Sequence, residues 1–443
     1  MSDSPSTASI VPQLPIAGGV ATAKPERVPT DWKTSSMQGR IRRRYAAERR
    51  FRLMGLSAIG LSVSFLAFLL ITMLGNGVRG FTETQIRVPV DFATSGLVLD
   101  RAALERADDA GARALMTGAD IDGTVGRAAE ARYGRRGALL LSDAAWVRVR
   151  DAIADDPSIL SGRRDFWLPA STTLDLVVKG KSTEASPFFR QVAAQDGATR
   201  TRLNFAFLTG ADATDPTVSG IWGAFKGSLL TMLVTLALAF PIGVCSAVYL
   251  EEYAPRNRWT DLIEVSINNL AAVPSIIFGL LGLAVFLNTM NLPRSAPLVG
   301  GLTLALMTMP VIVIAGRNAI KSVPPSIRDA ALGVGASRVQ VVFHHVLPLA
   351  LPGILTGTII GMARALGETA PLLMIGMRAF IASPPGGLAD PATVLPVQIY
   401  LWSDEVSRGF VEKTSAAIIV LLVFLLAMNG VAIYLRNKFE QRW

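Results

Sequence analysis

Six apolar runs, each long enough to cross a lipid bilayer, constrain this 443-residue chain more than any other feature. A hydrocarbon core of about 30 Å takes a helix of roughly 20 apolar residues. Residues 53–75, 224–250, 263–290, 298–316, 346–376 and 414–435 meet that length. Composition agrees: 51% of residues are hydrophobic and only 17% are charged, with a positive mean hydropathy. A water-soluble enzyme or a nucleic-acid binder is therefore excluded as the main body of the chain.

The formal net charge of +9 has a topological explanation. Cytoplasmic loops of membrane proteins hold the excess of Lys and Arg. RIRRRYAAERRFR (40–52) precedes the first run and RNKFEQRW (436–443) follows the last, which puts both termini in the cytoplasm. Six spans then leave 251–262 and 317–345 inside, with 76–223, 291–297 and 377–413 outside. The inside loops carry Arg256, Arg258, Arg317, Lys321, Arg328 and Arg338, as the rule requires. A basic stretch before an apolar run is also a signal-peptide pattern, but 23 apolar residues exceed an h-region, and a retained first helix is the expectation.

Outside the spans, composition divides the chain again. Residues 1–39 are rich in Pro, Ser, Thr, Ala and Gly without periodicity, as expected of a disordered cytoplasmic tail. Residues 40–75 are the basic segment and first membrane helix. Residues 76–222 are densely and almost evenly charged. TQIRVPVDF (84–92) alternates as a strand does, while 100–116 and 142–156 have helical periodicity, the first opened by Asp100 at the N-cap. This predicts an α+β domain on the outer face, inserted between helices 1 and 2. The single cysteine, Cys245, lies in the second span, so that domain stands without a disulfide. It contains no nucleophile, metal-ligand or phosphate-cradling motif, and a structural or docking role is expected of it. Residues 223–438 form a membrane core of five further helices, and 439–443 a short cytoplasmic C-terminus.

Within that core, SVPPSIRDAALGVGASRVQVVFHHVLPLALPGI (322–354) predicts a short cytoplasmic helix, a turn at Gly333 or Gly335 and re-entry into the membrane at Pro348. Periodicity alone allows an ordinary connection between spans or a docking element for a soluble partner. The residues resemble the EAA loop of ABC importer permeases: Glu-Ala-Ala, three residues, Gly, nine residues, Ile, any residue, Leu-Pro. Here Asp329, Ala330 and Ala331 open the pattern, Gly335 follows in register, and Leu347 and Pro348 close it. Asp329 replaces the Glu and keeps its charge; His345 replaces the Ile within intact spacing.

The resemblance implies that this loop inserts into an ATPase subunit and that ATP and Mg are bound there, leaving no cofactor in this chain. The lack of a GxxxxGK[ST] loop fits that division. Residues 227–255, 273–283 and ARALGETAPLL (363–373) resemble most closely the phosphate-transport permeases of that family, in a long form with an added outer domain. By resemblance, the expected fold is mainly α, a polytopic permease of six transmembrane helices. The implied partners are a second permease subunit, an ATPase dimer and a periplasmic phosphate-binding protein.

ARALGETAPLL raises an energetic question, because it places Arg364 and Glu368 in an apolar run where charge is expensive. Four residues apart on a helix, the two can pair, and helix packing alone would account for that. Two features favour a functional reading. Apolar residues would pack more cheaply, and Gly353, Gly357, Gly361 and Ala365 form a small-residue stripe that lets another helix approach beside the charged row. A guanidinium offers two parallel donors to a phosphate oxyanion. Arg364 and Glu368 are therefore the expected substrate contacts, with Ser275 and Thr369 as hydroxyl candidates, although such hydroxyls more often bond their own backbone.

Arg317 is expected only to anchor the inner membrane interface. His344 and His345 lack metal-ligand companions. A permease for another oxyanion stays open as an alternative. A membrane sensor is the rival from a different class, and it leaves the loop spacing and the intramembrane pair unexplained.

Overall fold

The computed structural model describes residues 34–181, 186–378 and 380–439. Of the tail expected over 1–39, residues 1–33 lie outside the described residues, and 35–39 already belong to a helix; of the C-terminus, 440–443 lie outside them. Two compact units divide the chain, Met1–Phe68 and Leu69–Trp443. What is described of the first unit is mainly the start of α1 (Ser35–Gly80), the basic stretch running without a break into the apolar one.

The second unit begins with the end of α1 and a segment built around β1 (Thr82–Asp91). Its helices are α2 (Arg101–Leu104), α3 (Asp109–Leu115), α4 (Ile121–Tyr133) and α5 (Ala145–Asp155), then β2 (Arg163–Pro169), α6 (Thr172–Val178), α7 (Pro187–Ala193), β3 (Thr199–Leu203) and α8 (Phe205–Thr209). The sheet is antiparallel in the order β2-β1-β3. Alternation along β1 sends Ile86, Val88 and Val90 into a core with Val125, Val149, Ile153 and Leu168. Asp100 caps α2 by accepting from the Ala102 and Ala103 amides. The helix expected over 100–116 is in fact two, because the Asp108 carboxylate accepts from Gly111 N at 2.8 Å and starts a second one.

The rest is helical: α9 (Trp222–Val248), α10 (Arg258–Ala271), α11 (Ser275–Gly282), α12 (Pro297–Lys321), α13 (Pro325–Gly333), α14 (Arg338–Gln340), α15 (Leu347–Gly367), α16 (Ala370–Met374), α17 (Leu395–Ser403) and α18 (Gly409–Phe439). Five helical stretches among the described residues are long and apolar enough to cross a membrane. The third apolar run, expected as one helix, is instead α10 and a second helix, bent by 100°. The reason is Pro274, which lacks an amide hydrogen and drives the residue before it out of the helical region. The fifth run differs as well: its helix stops at Gly367, where Glu368 turns extended (φ −76°, ψ 123°), and resumes as the short α16.

Small residues set the helix spacing in the core. A methyl added to Gly316 would stand 2.8 Å from Ala247, and one added to Gly353 would stand 2.7 Å from Ala319. Thus α12 packs between α9 and α15 with backbones close together. Threonines inside these helices satisfy themselves: Thr303 Oγ1 donates to Val299 O at 2.8 Å, and Thr308 Oγ1 to Leu304 O at 2.7 Å.

Candidate functional site

The α15 stripe does what its composition suggests. Gly353, Gly357 and Gly361 face Ala319, Ala315 and Thr308 of α12, and added side chains would collide there. Arg364 lies on the flank of that contact, left uncovered, with its side chain 50% exposed. Its Nε stands 3.4 Å from Glu368 Oε1. That is long beside the 2.7–2.9 Å or so of a tight charge-assisted bond. Glu368 is 18% exposed and sits at the helix end, so the pair spans the last turn of α15 and the break after it.

The two interrupted apolar segments meet. Gly279 of α11 packs on Pro371 of α16, where an added methyl would come within 2.6 Å of the proline Cα. Ser275 opens α11 and Thr369 sits at the N-cap of α16 without a side-chain cap bond, so each heads one of two packed half-helices. Among the described residues, neither hydroxyl is hydrogen-bonded to Arg364 or Glu368. The structure therefore joins Arg364 to Glu368 directly, and Ser275 to Thr369 only through the helices they begin.

At the other end of α15 is the loop. α13 carries Asp329 and Ala330 on its exposed side, while Ala331 is buried against Val341, Val342 and Val346. Gly335 adopts φ +89°, a left-handed conformation that glycine takes without penalty and that turns the chain after α13. Ser337 and Gln340 then form a capping box, Gln340 N donating to Ser337 Oγ at 3.3 Å and Ser337 N to Gln340 Oε1 at 2.8 Å. Leu347 and Pro348 open α15. Leu332, Val334, Val339 and Phe343 remain exposed along this surface.

The sequence reading missed the charge network above the loop. Arg317 is buried, not an exposed anchor: its Nε donates to Glu251 and its Nη2 to Glu264 Oε2 at 2.7 Å. Next to it, Arg328 Nη2 donates to Glu252 Oε1 at 2.7 Å, and Nη1 to the Val323 carbonyl at 2.7 Å. The adjacent carboxylates at the end of the second apolar run thus hold α12 through one arginine and α13 through another. Two consecutive glutamates at a span end, with unpaired arginines elsewhere on the same side, were the available signal. His344 and His345 are exposed, and no metal-binding cluster occurs among the described residues.

Comparison with known proteins fits this geometry. Residues 223–442 match the family described as binding-protein-dependent transport system inner membrane component, and residues 38–187 match a domain of unknown function. A probable ABC transporter permease protein, YqgI of Bacillus subtilis, is 31% identical over 53% of this chain and 85% of its own length. Phosphate transport system permease protein PstA 1 of Mycobacterium tuberculosis is 35% identical over 35% of this chain, which spans 51% of that relative. PstA of Haemophilus influenzae is 29% identical over 50% of this chain and 77% of its own. Among solved structures, a chain of the inward-facing MetNI methionine ABC transporter aligns over 50% of this chain and 98% of its own, at 18% identity and a TM-score of 0.39.

A multi-pass membrane protein with these relatives is a transport permease subunit. The chain belongs to the binding-protein-dependent transport system inner membrane component family.

Proposed function

We propose that this chain is the permease subunit of an ATP-driven importer that moves inorganic phosphate into the cytoplasm by alternating access. The relatives named as phosphate transport permeases support the choice of cargo. The observation that carries the mechanism is Arg364, half-exposed on a membrane helix and held only loosely by Glu368. A guanidinium in that state offers a free edge to a phosphate oxyanion, and Glu368 can steady it when the path is empty or accept a hydrogen bond from a protonated phosphate oxygen. Ser275 and Thr369, at the heads of two packed half-helices, add two hydroxyls to the path.

The loop surface around Asp329, Ala330, Ala331, Gly335, Leu347 and Pro348 receives an ATPase dimer, which binds ATP and Mg and closes on them. Because Glu251 and Glu252 tie α12 and α13 to the same segment, a push on α13 reaches the helix that packs against α15. A second permease chain completes the pore, and a periplasmic phosphate-binding protein delivers the ion. In this reading the bent α10–α11 pair counts as the sixth span, both termini are cytoplasmic, and the β1–α8 segment is an inserted α+β periplasmic domain.

The test is uptake of labelled phosphate by vesicles holding the complete system, with ATP and binding protein supplied. Uptake that needs both and resists excess sulfate and phosphonate supports phosphate as cargo. Preferential uptake of either competitor overturns it.

A further inference from the structure

A concave surface lined by arginines lies on the segment between the first and second apolar runs. A cavity of about 500 Å³ opens between the far end of β1, the turn after it, and one face of α4. Thr124, Arg127, Ala131 and Arg132 recur at helical spacing along that face, while Ile121, Val125 and Ala129 point into the core. The small Ala131 leaves room between the two arginines. Arg163, which pairs in register with Asp91 across the β1–β2 ladder, supplies a third guanidinium at the rim.

The polar groups are unevenly committed. Arg127 binds Asp120 at 3.1 Å and Thr124 Oγ1 at 3.2 Å, so it is positioned at the wall. Asp91 accepts from the Ala93 amide at 3.1 Å. Arg132 and Arg163 enter none of the ion pairs among the described residues, although the Arg132 guanidinium lies over the Tyr133 ring, 5.8 Å from its centroid. With Arg127 paired to Asp120, the guanidiniums of Arg132 and Arg163 still outnumber the one lining carboxylate, Asp91, and favour an anion with several acceptor oxygens.

β1 starts two residues after α1 ends, and Val90 is eight residues further along. At roughly 3.3 Å per residue the cavity lies about 26 Å along the strand from its start.

We propose that the cavity lined by Arg127, Arg132 and Arg163 is a second oxyanion site, outside the translocation path, that takes free inorganic phosphate. The oxyanion class follows from the cavity; the choice of phosphate rests on the function proposed above.

Hydrogen exchange on the full chain in nanodiscs tests this, with inorganic phosphate as probe against sodium chloride of equal ionic strength. Phosphate is expected to slow exchange across 88–95, 121–134 and 161–165 in the wild type and equally in Arg364→Gln, which separates this site from the membrane path. In Arg132→Ala/Arg163→Ala the half-saturating phosphate is expected to rise at least about tenfold, equivalent to roughly 1.4 kcal/mol. Exchange over α5 should stay unchanged in that variant, and Arg132→Lys/Arg163→Lys should recover part of the protection. No protection in the wild type, equal protection by chloride, protection indifferent to the double substitution, or protection seen only with anionic lipid would each overturn the proposal. Failure of phosphate uptake with protection intact would instead count against the transport reading alone.

Discussion

Two arginines of the membrane core invite comparison. Arg317 and Arg364 both sit on helices that pack together, and both meet glutamate. Arg317 is 11% exposed at its side chain, with Glu251 on one edge of the guanidinium and Glu264 on the other. Arg364 is 50% exposed and has one partner at 3.4 Å. A buried charge clamped between two carboxylates holds structure; an exposed charge with one distant partner is available to something that passes. Residue type does not distinguish the two; burial and the count of partners do.

The comparison can be broken from either side. Arg317→Ala leaves the mostly buried Glu251 with only the exposed Lys321, 3.5 Å away, and strips Glu264, 40% exposed, of its partner. The cost should fall at the low end for a broken buried pair, about 3 kcal/mol. We expect a large drop in melting temperature of the purified chain. The matching change at the open pair, Arg364→Ala, should move stability by no more than about 0.5 kcal/mol, as for other exposed i,i+4 pairs. Equal melting shifts would show that both pairs are structural.

The surface that separates Arg364 from α12 gives the next largest effect. Gly357→Leu forces a side chain into Ala315. Overpacking of this kind costs about 1–3 kcal/mol. Thermal stability and uptake should fall together, whereas a neutral result would mean that α12 and α15 do not pack as closely as described. The smallest effect is expected at Ser275→Ala, where loss of one neutral hydroxyl costs about 1 kcal/mol or less. Half-saturating phosphate for uptake should rise by no more than about fivefold, and abolition of uptake would move Ser275 from the edge of the path to its centre.

How much of this was legible depends on the kind of signal. The apolar runs, the alternation in β1, the N-cap at Asp100 and the glycine stripe in α15 are local patterns, and local physics forms them wherever they occur. The loop over 322–348 was legible through spacing, with the turn placed at Gly333 or Gly335; the left-handed φ of +89° settles it at Gly335. What failed was continuity and partnership. The third and fifth runs are apolar throughout, so hydropathy joins segments that Pro274 and Glu368 separate. Arg317 sat at a span end, where an interfacial cation is common, and nothing local revealed that Glu251 and Glu264 converge on it from two other segments. The Arg163 rim of the outer cavity escaped for the same reason, since strand pairing brings it beside α4 across a long sequence separation.

The central claim is that Arg364 serves the ion and not the fold. It is tested most directly by uptake of labelled phosphate per assembled complex for Arg364→Gln, with co-purification of the ATPase subunits measured on the same sample. Losing one charge-assisted contact of about 1.5–3 kcal/mol should reduce uptake by roughly ten- to a hundredfold or more, with assembly at the wild-type level. Wild-type uptake in a fully assembled complex would contradict the account.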